Sequence, residues 1–74
     1  MMIFTETKCV NTRLANFIGT NGNELYVVFP NEQACLTLAT FPNEKAAEEC
    51  LKDIQMAFVR GDATFRVEVA GYGW

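Results

Sequence analysis

The 74-residue sequence contains no histidine, and its three cysteines, Cys9, Cys35 and Cys50, form no C-x-x-C pair. A structural zinc site needs four ligands, drawn mainly from Cys and His. That donor set is missing, so no metal and no cofactor is expected. A cysteine nucleophile works beside a base, most often His, and no assembled acid, base and nucleophile stands out, so an enzyme is not expected. An odd number of cysteines speaks against a disulfide framework. Basic residues are also few. Lys8, Arg13, Lys45, Lys52, Arg60 and Arg66 are scattered and the net charge is −3. Binding to nucleic acid rests on clustered Lys and Arg that neutralise phosphates, so direct nucleic-acid binding is not expected.

Long apolar runs are absent as well. None approaches the roughly 20 residues of a membrane span, and Met1–Glu6 lacks the basic and apolar regions of a signal peptide. A cytoplasmic protein without membrane attachment is expected. Gly71-Tyr72-Gly73 has the G-x-G form of a phosphate loop, but that use needs a helix to follow the glycines, and only Trp74 comes after them. No calcium-loop spacing and no small-molecule pocket motif is evident.

What is present is a globular balance: half of the residues are apolar, a fifth are charged, and Phe, Tyr and Trp are well represented. The length fits one domain over residues 1–74. In so small a domain burial alone leaves little stability, about 3–5 kcal/mol. With disulfides and metals disfavoured, self-association gains weight.

Strand signals fill the first half. Met2 to Val10 reads as one strand, and Asn11-Thr12-Arg13 as a turn. Leu14 to Gly19 forms a second strand, with a bulge or a two-sided contact suggested at Phe17-Ile18. Asn21-Gly22 has the residues of a type I′ turn, which predicts a hairpin into Leu25–Phe29. Pro30-Asn31-Glu32 ends that strand, and Ala34 to Phe41 makes another.

One helix follows. Pro42 bars its backward extension, Asn43 caps it, and Glu44 suits the positive end of its dipole. Ala47, Cys50, Leu51, Ile54, Ala57 and Phe58 fall at the spacing of a core-facing stripe. Buried on that stripe, Cys50 acts as a small hydrophobe. Glu48 and Lys52 are placed for an i,i+4 ion pair, and Gly61 closes the helix after Arg60. Ala63 to Val69 alternates as a half-buried strand. The pattern predicts an α+β fold of order β-β-β-β-α-β, an antiparallel sheet of four to five strands with one amphipathic helix packed on one face.

The stretch Phe41-Pro42-Asn43-Glu44-Lys45-Ala46-Ala47-Glu48-Glu49-Cys50-Leu51-Lys52-Asp53-Ile54, followed by Ala57-Phe58 and Gly61, resembles a frequent bacterial and phage pattern. So does the opening Thr7-Lys8-Cys9-Val10-Asn11 with Leu14, Ala15 and Phe17. Small uncharacterised bacterial and phage proteins with a β-meander before such a helix are similar along most of their length. The resemblance implies a fold and a setting, and it carries over no functional residue.

Two function classes follow. The first is a non-enzymatic protein-interaction or regulatory module, homo-oligomeric or bound to a protein partner. Its candidate contact residues are Tyr72 and Trp74, with Tyr26 behind them, because Tyr and Trp are enriched at binding hot spots. The tail would pack on the chain's own core, on a sister subunit or on a foreign partner. The second is an acidic inhibitor or nucleic-acid mimic directed at a host nucleic-acid enzyme, using Glu44, Glu48, Glu49 and Asp53 on the helix. A shared proton or cation at Glu49 and Asp53 competes with the simpler reading of a solvated face.

Overall fold

The computed structural model describes residues 1–30 and 35–72. Its helix, α1, runs from Glu44 to Arg60. Asn43 is extended, and its side-chain Oδ1 accepts the Ala46 N–H at 2.8 Å, which satisfies one of the helix's unpaired donors. At the other end Gly61 takes φ of +79°. There its N–H reaches the Phe58 carbonyl and the Asp62 N–H reaches the Ala57 carbonyl, both at 3.0 Å. This pair of hydrogen bonds is a Schellman closure, and its left-handed residue explains the glycine. The inward face consists of Ala46, Ala47, Cys50, Ile54 and Ala57, mostly small residues that let the helix approach the strands closely. Phe58, expected on this stripe, is instead exposed. Ala57 takes the inward position, and Phe58 lies one step round on the flank that Leu51 also borders.

Among the described residues the strands number six and form two sheets, which corrects the single antiparallel sheet of four to five strands; the order is β-β-β-β-β-α-β. The segment Met2–Val10 is not one strand. It folds into β1 (Met2–Phe4) and β2 (Cys9–Asn11), paired antiparallel with Ile3 opposite Val10. The cause is local: the Thr5 hydroxyl accepts the Lys8 N–H at 2.9 Å while the Thr5 N–H donates to the Lys8 carbonyl at 2.8 Å. A hydroxyl that captures a backbone donor this way makes a turn out of residues with good strand propensity.

A 3₁₀ turn at Thr12–Leu14, capped by the Asn11 side chain on the Arg13 N–H, replaces the start of the expected second strand. The second sheet then runs β3 (Phe17–Asn21), β4 (Glu24–Val28) and β5 (Cys35–Thr40), all antiparallel. The hairpin between β3 and β4 is present, but its turn is shifted by one residue. Asn21 pairs with Glu24, so the two central residues are Gly22 and Asn23, and of these Gly22 alone has positive φ, at +61°. Positive φ at the first central position alone is the type II′ pattern. Asn23 is then free to exchange two 2.8 Å bonds with the main chain of Phe41, tying the turn to the entrance of the helix.

No break in register occurs between β3 and β4, so of the two alternatives at Phe17-Ile18 the bulge is not formed. The irregularity lies between β4 and β5. Leu25 faces Ala39 and Tyr26 faces Thr37, so Leu38 is the extra residue, and it is buried. Ala34, the expected start of this strand, lies outside the described residues, as do Asn31, Glu32 and Gln33.

After the helix, β6 (Thr64–Arg66) pairs in parallel with β1, Ile3 opposite Phe65. The first sheet is therefore mixed, with order β2-β1-β6. Regular pairing ends earlier than the alternation to Val69 suggested, because Val69–Gly71 forms a second 3₁₀ turn. Val67 is nonetheless buried and Phe65 half-buried, as the alternation requires. The core joins both sheets to one helix: Ile3 and Val10 from the first, Leu25, Val27 and Leu38 from the second, and Phe41, Cys50 and Ile54 from the helix and its approach. No polar or charged residue among those described is buried.

Candidate functional site

Two open sheets have four edges, and they are not alike. β2 and β6 are three residues long; Lys8 and Arg13 flank the first and Arg66 sits in the second. β5 carries the bulge at Leu38. Shortness, charge and bulges are the ordinary devices that stop an edge from pairing with another chain. β3 has none of them. It is five residues, Phe17-Ile18-Gly19-Thr20-Asn21, with no charge, no proline and unbroken pairing to β4.

Beside this edge lies a groove of about 390 Å³ between β3, the turn before it and the second half of α1. Ala15, Phe17, Ile18, Leu51, Ile54 and Phe58 line it, and none of its lining side chains is charged. Of its lining side chains Phe17 is 50% exposed, Phe58 69% and Val59 80%. Three large apolar side chains left in water along one groove of a 74-residue chain form a patch of the kind that marks an interaction surface. A larger cleft between β5 and the segment after β6, about 580 Å³, is lined with Glu6, Arg66 and Glu68 and has no such character.

Tyr26 belongs to this region. It stands on the outer face of β4, edge-on to Phe17 with ring centroids 5.9 Å apart. Its ring lies over Gly19, close enough that a Cβ there would meet the hydroxyl oxygen at 3.1 Å. The glycine thus makes room for the tyrosine to lean toward the open edge.

Tyr72 is elsewhere and is engaged. Its hydroxyl donates to Asp53 Oδ2 at 2.5 Å, and its ring packs edge-on against Phe41 with centroids 5.6 Å apart. Burial and the Asp53 carboxylate both hold its phenol well above the usual range. Beneath it, burial pushes the Cys50 thiol up to about 11, against a lowering hydrogen bond from Tyr72 and with a further rise from the Asp53 charge. At neutral pH that thiol is protonated and unreactive. Trp74 lies outside the described residues.

The acidic residues are exposed, but they do not make a uniform face. Lys45 and Lys52 are interleaved with Glu44, Glu48 and Glu49, and Asp53 is taken by Tyr72. The ion pairs among the described residues are Arg60–Asp62 at 2.8 Å and Arg66–Glu68 at 3.8 Å, so the expected Glu48–Lys52 pair is not formed. Among the described residues no three His, Cys, Asp or Glu side chains are gathered for a metal ion. No helix there is long and apolar enough to cross a membrane.

Sequence reasoning reached Tyr26 but missed Phe17, Phe58 and Val59. A signal for the last two was present. Met56-Ala57-Phe58-Val59 is a run of four apolar residues, and at about 100° each a helix cannot turn them all inward. No protein-family model matches the sequence, and no curated protein and no solved structure matches it either.

Proposed function

We propose that this chain is a non-enzymatic protein-interaction module of bacterial or phage type that works as a homo-oligomer, and that its contact surface is the groove without charged side chains and the β3 edge beside it. The observation that carries this reading is a coincidence of place: among the described residues, the one edge without protective features borders the groove where Phe17, Phe58 and Val59 are exposed. A second copy suits the surface better than an acidic or basic partner, because the groove offers no side-chain charge to answer either. The small core supplies a reason for association to matter, since apolar area covered by a partner adds to what one chain buries.

Light scattering on a sizing column, across concentrations and with reductant present, tests it. The wild-type chain is expected to exceed the monomer mass, and Val59→Glu to return it to the monomer with its helix content unchanged. A wild-type chain that stays monomeric at every concentration would sink the proposal.

A further inference from the structure

The polar groups of β3 are arranged so that the strand can pair with itself. A two-residue hairpin loop closes on a hydrogen-bonded pair, here Asn21 and Glu24. Antiparallel pairs alternate from that point, so Phe17, Gly19 and Asn21 turn their main-chain groups to β4, and Ile18 and Thr20 turn theirs outward. A two-fold contact requires that residue i meet j while j meets i. Centring the axis on Gly19 overlaps all five residues of the strand. Phe17 then lies opposite Asn21, Gly19 opposite Gly19, and Ile18 opposite Thr20, whose outward groups exchange N–H···O bonds. Because β3 carries no charge, no like charges are opposed, although the chain as a whole is at −3.

Resting on the homo-oligomer reading above, we infer that two copies join by antiparallel pairing of β3 to β3 about a two-fold axis at Gly19, merging two three-stranded sheets into one continuous sheet. Tyr26 faces Gly19 in the β3–β4 register. The row across the axis therefore reads Tyr26, Gly19, Gly19, Tyr26, with no side chain between the two phenols. Each ring already leans over its own glycine, so the two tips meet above the axis, where the glycines sit about 4.5 Å apart as a non-hydrogen-bonded pair. Phe58 and Val59 stand at the same border and lose their exposure to the second copy.

Thr20→Pro tests the pairing. It removes an outward N–H and no ladder bond of the chain's own sheet, which is the position an edge strand tolerates. The purified chain is expected to form a dimer in which the Ile18 and Thr20 amides exchange slowly as concentration rises. Thr20→Pro is expected to raise the dissociation constant by at least about tenfold. Photo-oxidation should give a bityrosine-linked dimer that Tyr26→Phe abolishes and Tyr72→Phe retains. Should Thr20→Pro lose its far-ultraviolet spectrum, the amide and bityrosine measurements on the other proteins decide. A dimer that Val59→Glu dissociates but whose Ile18 and Thr20 amides exchange freely would overturn the strand pairing and leave the homo-oligomer reading standing. A monomer at every concentration would overturn both. Protection of those two amides that required a foreign polypeptide would show the edge serving another partner and overturn this inference.

Discussion

The two flanks of the helix are treated in opposite ways. On the flank toward β6, Tyr72 returns over the helix, bonds to Asp53 and packs on Phe41, so that Cys50 lies covered. On the flank toward β3, Phe58 and Val59 project into solvent along a groove that no described segment covers. The strand edges follow the same division: short and charged in the first sheet, long and uncharged at β3 in the second. On one side Tyr72 covers part of the helix and charged residues surround the exposed Met56, and on the other the exposed side chains border a groove without charged side chains. The two flanks thus differ in the charge of what surrounds their exposed apolar side chains.

If that division concerns the surface alone, the interior should not respect it. Ile3 of the first sheet and Leu25 of the second are both fully buried in one core. Replacing either with alanine is expected to lower stability by about 2–5 kcal/mol, with the same denaturant slope for both. Urea unfolding measures this, and separate transitions for the two variants would mean two cores. The closed flank should make itself known at high pH. Cys50, ordinarily near 9, is raised to about 11 when folded, and Tyr72 is raised as well. Ionisation thus occurs first in the unfolded chain, so the stability from this contact is complete below pH 9 and is lost as pH rises toward 11. The midpoint of urea unfolding should be flat to pH 9 and fall above it, and Cys50→Ala should flatten part of the decline.

A charge placed on each kind of edge sharpens the contrast at smaller cost. Thr20→Lys is expected to weaken self-association at least about tenfold, near 1.4 kcal/mol, whereas Cys9→Lys on β2 leaves the solution mass unchanged; light scattering reads both. Smallest is the helix cap. Asn43→Ala should cost about 1 kcal/mol of stability by removing the bond to the Ala46 N–H, without altering the oligomeric state.

The helix was legible almost to the residue because its signals are local. Asn43, Gly61 and the spacing of Ala47, Cys50 and Ile54 each act within a turn or two. The sheet was less so. That Met2–Val10 bends depends on one hydroxyl finding the Lys8 N–H, and Thr5 looks like any other strand residue in sequence. The division into two sheets rests on β1 pairing with β6, a contact between distant segments that leaves no periodic trace. At the turn, Asn21-Gly22 suggested its own residues as the centre. The structure moves the centre to Gly22-Asn23, where Asn23 gains its bonds to Phe41. Of the candidate site, Tyr26 was visible as a strand aromatic. Phe17 was not, because its exposure follows from a strand that begins at the sheet's margin and not from its own chemistry.

The position of β1 in the middle of its sheet sets the timing of folding. One neighbour, β2, is made at once, but the other, β6, follows about sixty residues later, and closing so long a loop is slow compared with forming hairpins. The meander of β3, β4 and β5 needs no such wait. During synthesis its bare edge is complete while the first sheet still lacks a strand, so of the two sheets the meander is the earlier to exist.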